Sequence, residues 1–139
     1  MSVVDSRYPA LAGRIFYALI FIVSGMDHFL DLDGMALMAA DKGVPVARLA
    51  VGMAGFLFLA GGLLVLFGWR TRLGAAILVL TLLPVTFAMH RPLDDPGQIV
   101  QVLKNLALVG GGLLLMAHGP GALSLDGTAL PADPEDVSS

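Results

Sequence analysis

Apolar residues dominate four stretches of the chain, and short segments rich in charge, glycine or proline separate them. The stretches cover roughly residues 9–28, 46–69, 73–89 and 98–118. Each is close to the about 20 apolar residues that a helix needs to cross the hydrocarbon core of a membrane. The pattern predicts an all-α fold, an integral membrane four-helix bundle. Residues 1–8 form an N-terminal segment, and residues 119–139 form a polar tail that we expect to be mobile.

The connection between the first two stretches is the longest and has a pattern of its own. It reads FLDLDGMALMAADKGVPV and begins at Phe29. Asp33 is a candidate N-cap for a short helix over residues 34–40, and Lys42-Gly43 is its candidate C-terminal end. The apolar residues of this helix suit a position in the membrane interface. A packed lid over the bundle is the alternative.

Composition agrees with a membrane protein. Of the 139 residues, 57% are hydrophobic and only 14% are charged, whereas soluble domains carry about 25% charged residues. The net charge of -3 gives no indication of nucleic-acid binding. The absence of cysteine excludes thiol chemistry and Cys-ligated metal centres within the chain. No cleaved signal peptide is expected, because the N-terminal residues lack a compact cationic region.

The last apolar stretch contains a charge, Lys104, about two turns from its start. A lysine at the centre of a membrane helix costs about 2.5 to 3.5 kcal/mol. It therefore calls for a partner, a ligand or a snorkelled ammonium. The first and third stretches end on the side of the membrane where the fourth begins. Asp27, His28 and His90 should thus lie on the same side as Lys104 and Asn105, and Asp27 is the expected ion-pair partner of Lys104.

These five side chains form a candidate ligand site. Their types suit hydrogen bonding to a quinone head group beneath an apolar channel. A haem or copper ion held by His28 and His90 is disfavoured, because nothing else in the sequence specifies a metal. Ser24, Asp27 and His28 share one helix with no evident oxyanion group, so they do not form a catalytic triad. We predict no catalytic residue, no metal ligand and, as a candidate cofactor, only a quinone.

Glycines mark the expected helix–helix contacts. Gly52, Gly55 and Gly62 recur along one face of the second stretch, and Gly111 lies in the fourth. Small residues of this kind let helix backbones approach each other in lipid. The GGG sequence at residues 110–112 is not a phosphate-binding loop, because no strand precedes it and no Lys-Ser/Thr pair follows it.

The distribution of basic residues favours cytoplasmic termini by a small margin. In this topology the side of the termini carries Arg7, Arg14, Arg70 and Arg72, and the opposite side carries Lys42, Arg48 and Arg91. Arg14 lies near the start of the first stretch, and we expect its guanidinium to snorkel to the interface.

Several segments resemble the DoxX family of small prokaryotic membrane proteins. They are RIFYALIFIVSGMDHF, KGVP, AGGLLVLFGWRTRLGA, LPVTFAMH and KNLALVGGGLLLMAHGPGALSLDG, and the resemblance covers about residues 13–127. It implies a four-helix bundle in the cytoplasmic (inner) membrane of a prokaryote. It also implies an association with oxidoreductases, since the family takes its name from a subunit linked to thiosulfate–quinone oxidation.

These expectations favour an accessory or anchoring subunit of a respiratory or redox membrane complex that contacts quinone and is not catalytic on its own. The expected partners are membrane lipid and either other membrane subunits or a second copy of the chain. Three alternatives stay open. They are a self-contained quinone oxidoreductase, a small-molecule or lipid/quinone carrier, and a purely structural subunit that packs through its glycine stripes.

Overall fold

The computed structural model describes residues 6–128. In this part of the chain the regular elements are helices, joined by short connections. The helices are α1 (Arg7–Leu30), α2 (Leu32–Asp41), α3 (Ala47–Phe67), α4 (Thr71–Met89), α5 (Ile99–His118) and α6 (Leu125–Thr128), and a 3-10 turn (Pro96–Gln98) precedes α5. The helices α1, α3, α4 and α5 are long and apolar enough to cross a membrane. The predicted all-α membrane fold with four spans is confirmed.

Glycine sets the end of α3. Gly68 has a φ of 67°, a left-handed conformation that glycine adopts without strain. The N–H of Trp69 donates a hydrogen bond of 3.0 Å to the carbonyl of Leu64 and closes the last turn of the helix. The helix therefore ends at Phe67, and Trp69 lies in the turn beyond it with its ring exposed. Gly43 ends α2 in the same manner.

The second helix, α2, includes residues 34–40, where the sequence predicted a short helix. Asp33 is not its N-cap, because Asp31 occupies that position and makes no capping hydrogen bond through its side chain. Asp33 lies in the first turn of α2, and its carboxylate pairs with Arg48 of α3. Since Ala39 is only 3% exposed and α2 packs on α3, this helix covers one end of the bundle.

The long helices pack in the order α1 on α3, α3 on α4, and α4 on α5. Their shared core consists of buried Ala18, Phe21, Phe58, Val65, Ala75, Leu78 and Leu82. Two pairs of glycines bring backbones together. A Cβ on Gly25 would lie 2.9 Å from the carbonyl oxygen of Gly55, and a Cβ on Gly61 would lie 3.0 Å from that of Gly74.

Three of the four glycines singled out in the sequence also lie against α1. An added Cβ would lie 2.6 Å from the Cβ of His28 at Gly55, 2.9 Å from Ile22 at Gly62, and 3.2 Å from the Tyr17 ring at Gly111. Gly52 differs, because its nearest neighbour would be a Leu32 methyl at 4.0 Å. Gly52 is therefore not a close-contact glycine, since α1 has already ended at that level.

Residues 119–127, the C-terminal strap, fold back onto the bundle. Arg14 donates hydrogen bonds of 2.7 Å to the carbonyl of Pro120 and 2.8 Å to that of Leu123. Arg14 is only 3% exposed, so the expectation that it snorkels is wrong. Its guanidinium instead donates to backbone carbonyls of the strap, which lies beyond the end of α5. This part of the tail is thus packed, contrary to the expected mobility, and residues 129–139 lie outside the described part.

Asp126 fastens the strap to the start of α4. Its carboxylate accepts hydrogen bonds of 2.8 Å from the backbone N–H groups of Arg70 and Thr71 and one of 2.9 Å from the Thr71 hydroxyl. Burial raises the pKa of Asp126, but these hydrogen bonds and the charge of Arg14 outweigh it and hold the pKa below its ordinary value. Because Arg14, near the start of α1, holds the strap that follows α5, α1 begins at the end of the bundle where α5 ends.

Candidate functional site

A cavity of about 510 Å³ lies among the four long helices beneath α2. Apolar side chains make up most of its wall, and methionines from α2 and α4 contribute to it. Its polar lining consists of Ser24, His28, His90, Lys104 and Asn105, which we call the polar cluster. These residues lie near the ends of α1 and α4 and near the start of α5. The polar cluster therefore occupies the end of the bundle that α2 covers.

Four of the five predicted site residues line this cavity together, namely His28, His90, Lys104 and Asn105. Asp27 does not line it. Asp27 is exposed and borders a separate shallow depression beside Leu19. Within residues 6–128 no ion pair or hydrogen bond joins Asp27 to Lys104, so the expected pair does not form. The reason is helical geometry, because neighbouring residues project about 100° apart around the axis and His28 takes the inward direction.

His28 has a fixed hydrogen-bonding role. Its Nδ1 lies 2.6 Å from the carbonyl oxygen of Ser24, one turn earlier in α1. A carbonyl only accepts, so Nδ1 carries the proton and donates it. The ring packs edge-on against Phe58, with the ring centroids 5.5 Å apart. In the neutral imidazole, Nε2 is then left with a lone pair that accepts hydrogen bonds.

His90 has the same hydrogen-bonding role as His28, but a different set of contacts fixes it. Its Nδ1 lies 2.8 Å from Oε1 of Gln98, and Nε2 of Gln98 donates to the Asp95 carboxylate at 3.2 Å. Because the amide nitrogen faces the carboxylate, the amide oxygen faces His90 and accepts from its Nδ1–H. The Nε2 atom of neutral His90 is therefore also an acceptor.

Asn105 joins α5 to α4. Its amide nitrogen donates to the Thr86 hydroxyl at 3.0 Å, and that hydroxyl donates to the carbonyl of Leu82 at 2.7 Å. Asn105 is 8% exposed, which fits a buried polar contact that is satisfied by its neighbours. It positions this turn of α5 and thereby the adjacent Lys104.

Lys104 gives the cavity a positive charge. The lining contains this ammonium and two imidazoles but no aspartate or glutamate. The charge of Lys104 is therefore not neutralised from within the cavity wall. Such a wall favours a ligand atom that carries negative charge or accepts hydrogen bonds.

The helix α2 is held over the cavity from two sides. Arg91, just after α4, donates a hydrogen bond of 2.7 Å to the carbonyl of Lys42 at the end of α2. Arg48 pairs with Asp33 at the other end of this helix. Between these contacts Met35 and Met38 face the cavity. Methionine side chains are flexible and adapt to ligands of irregular shape.

The sequence did not indicate several cavity residues. Met35, Met38, Met89 and Phe58 line the wall. The methionines of α2 gave the only signal, an apolar composition compatible with a lid. Phe58 lies in a continuous apolar run, where nothing distinguishes a cavity wall from an ordinary core position.

The described part of the chain offers little for a metal ion. Within residues 6–128 no three histidine, aspartate or glutamate side chains gather at one place. His28 and His90 share the cavity, but a third protein ligand for a metal does not accompany them.

The fold defines a small helical membrane protein with four candidate spans and a cavity among its helices that has polar side chains at one end. The chain belongs to the DoxX family, whose sequence profile matches residues 10–91.

Two relatives come from Escherichia coli K12. The inner membrane protein YphA is 31% identical over 121 residues, which cover 84% of this chain and 86% of the relative. The inner membrane protein YqjF is 33% identical over 116 residues, which cover 84% of this chain and 88% of the relative. No solved structure matches the chain.

Proposed function

We propose that this protein is an accessory or anchoring subunit of a respiratory or redox membrane complex, and that its cavity holds the ring of a quinone-class molecule. One observation carries the proposal: an apolar cavity of about 510 Å³ with a polar cluster at one end. A redox ring that bears oxygen atoms fits against Lys104 and the imidazoles. The apolar tail of such a molecule fits along the remaining wall.

The size of the cavity supports a ligand of this class. Binding sites for small molecules typically have volumes of about 300 to 1,000 Å³ and mostly apolar walls with a few polar groups. The cavity meets both conditions. A substituted aromatic ring with a short part of its tail occupies a space of this size.

The proposed role is to hold the ligand for a partner. The chain has no cysteine, and within residues 6–128 the two cavity imidazoles have no third metal-ligating side chain beside them. Under this proposal, electrons would pass between the bound ring and a redox centre in another subunit. The proposal places the protein in the inner membrane, as the names of its relatives state for them, with its termini on the cytoplasmic side.

A carrier of lipid or other small amphiphiles is the second candidate. The observation in its favour is that α2 covers the cavity through an ion pair and a hydrogen bond, Arg48 to Asp33 and Arg91 to Lys42. Such contacts break and re-form as a ligand enters or leaves. A carrier would need no redox partner, and this separates the two candidates by experiment.

Gentle purification from the native membrane tests the proposal. A redox enzyme and a quinone-class molecule should accompany the wild-type protein. The cavity-filling variant Ala88→Phe should lose the small molecule, whereas Leu80→Phe, on an exposed part of the same helix, should keep it. A preparation with bound lipid and without a redox partner would favour the carrier.

A further inference from the structure

The two imidazoles at the cavity present acceptors, not donors. Each neutral ring donates from Nδ1 to a group of the protein itself, the Ser24 carbonyl for His28 and the Gln98 amide oxygen for His90. Each ring therefore keeps only a lone pair on Nε2. The complementary ligand must bring hydrogen-bond donors of its own.

The oxidised and reduced forms of a quinone differ in whether they can donate hydrogen bonds. The oxygen atoms of a quinone are carbonyls and only accept hydrogen bonds. The oxygen atoms of the corresponding quinol are hydroxyls, which donate and accept. In a site that offers two lone pairs, a quinone leaves both of them without a hydrogen-bond donor, whereas a quinol donates to them.

Lys104 adds a requirement that the hydroxyl oxygen also meets. Its ammonium has three N–H donors and no acceptor. The lone pairs of a quinol oxygen accept from Lys104 while its O–H donates to an imidazole. A fatty-acid carboxylate satisfies Lys104 as well, but an ionised carboxylate has no proton to donate to His28 or His90.

We infer that the cavity binds the reduced, dihydroxy-aromatic form of its ligand in preference to the oxidised form. The inference rests on the proposed function, because it takes the ligand to be of the quinone class. It concerns binding alone and includes no electron transfer. In a redox assembly such a subunit would retain a quinol and let the oxidised ring leave.

The test compares the two redox forms of one compound. A benzoquinone with a decyl chain and the corresponding benzoquinol are titrated without oxygen onto the full-length protein in detergent at pH 8, and binding is followed by calorimetry. The quinol should bind about tenfold more tightly for each additional hydrogen bond. Equal affinities, or tighter binding of the quinone, would overturn the inference and leave the proposed function standing. Binding of neither form would remove both.

Two variants test the assignment of the acceptors. His28→Phe removes one lone pair and keeps an aromatic ring beside Phe58, so it should lower the affinity for the quinol about tenfold and thereby reduce the ratio of quinol to quinone affinity. Gln98→Leu removes the acceptor that keeps the proton on Nδ1 of His90, so it should reduce the preference for the quinol over the quinone. This second variant keeps the test decisive if His28→Phe fails to fold. His118→Phe, near the opposite end of the bundle, is the control. A preference unchanged by Gln98→Leu, or decanoate binding more tightly than the quinol, would refute the inference.

Discussion

Lys104 combines two properties that determine its role. It lies within a membrane helix, where a charge is costly, and it borders a cavity whose wall carries no carboxylate. The expected partner, Asp27, faces away from that cavity. The ammonium therefore has no carboxylate partner in the cavity wall, and we expect its contribution to appear in binding and not in folding.

A double-mutant cycle tests this account of Lys104. Because Asp27 and Lys104 do not touch, Lys104→Met and Asp27→Asn should change the melting temperature in detergent additively, with a coupling within about 0.5 kcal/mol. Lys104→Met should in addition weaken retention of the ligand, whereas Asp27→Asn should not. A coupling well above that value would show that the two side chains form an ion pair in the protein.

The sequence could predict which polar residues meet but not which way they face. Helix lengths and alternating direction place His28, His90, Lys104 and Asn105 at one level of the membrane, and the structure brings all four to one cavity. The rotation of α1 that turns His28 inward and Asp27 outward depends on packing against α3. That packing is set by Gly25 and Gly55, and no local pattern at Asp27 reveals it.

At the scale of the elements, backbone contact between α1 and α3 holds the frame of the site. Gly25 and Gly55 face each other, and the Cβ of His28 lies beside Gly55. A side chain at position 55 would push α1 away and displace His28 from the cavity. The stability of this pair of helices and the geometry of the polar cluster are therefore linked.

Matched glycine substitutions measure that contact. Gly55→Ala should destabilise the protein by about 1 to 3 kcal/mol, because its Cβ would lie 2.6 Å from that of His28. Gly110→Ala should be neutral or stabilising, since nothing lies within 4 Å of its position and alanine favours the helix. Thermal unfolding in detergent distinguishes the two. Equal behaviour of both variants would show that α1 and α3 do not touch at Gly55.

The C-terminal strap is an element that the sequence analysis did not anticipate. Three of its nine residues are glycine and one is proline, a composition typical of mobile tails. The contacts that fix it come from Arg14 and from the start of α4, both distant in the chain. Tertiary contacts of this kind hold the segment in place despite its local composition, and they leave no periodic pattern in the sequence.

Asp126 makes the attachment of the strap sensitive to acid. Its folded-state pKa is lowered, so the ionised carboxylate stabilises the folded protein above the ordinary aspartate pKa of about 3.9. This contribution should be lost as the pH falls below that value toward the lowered pKa. The melting temperature of Asp126→Asn should therefore depend less on pH between 5 and 2.5 than that of the wild type. Parallel curves would show that Asp126 does not stabilise the fold through its charge.

At the scale of the whole molecule, four apolar helices border a space that they do not fill. The apolar runs predict the helices and their number, because the bilayer imposes a minimum length. The cavity arises from how side chains of five helices meet, including methionines of α2 and Phe58 of α3. Its existence therefore follows from the packed structure and not from any one segment.

The central claim is that this cavity holds a quinone-class molecule. A photoreactive quinol analogue, activated in native membranes and mapped by mass spectrometry, tests it most directly. Labelled residues should lie on the cavity wall, within residues 20–28 of α1, 50–58 of α3 and 104–108 of α5, and unlabelled quinol should compete with the labelling. Labelling confined to exposed positions such as Phe16 and Leu80, without competition, would contradict it.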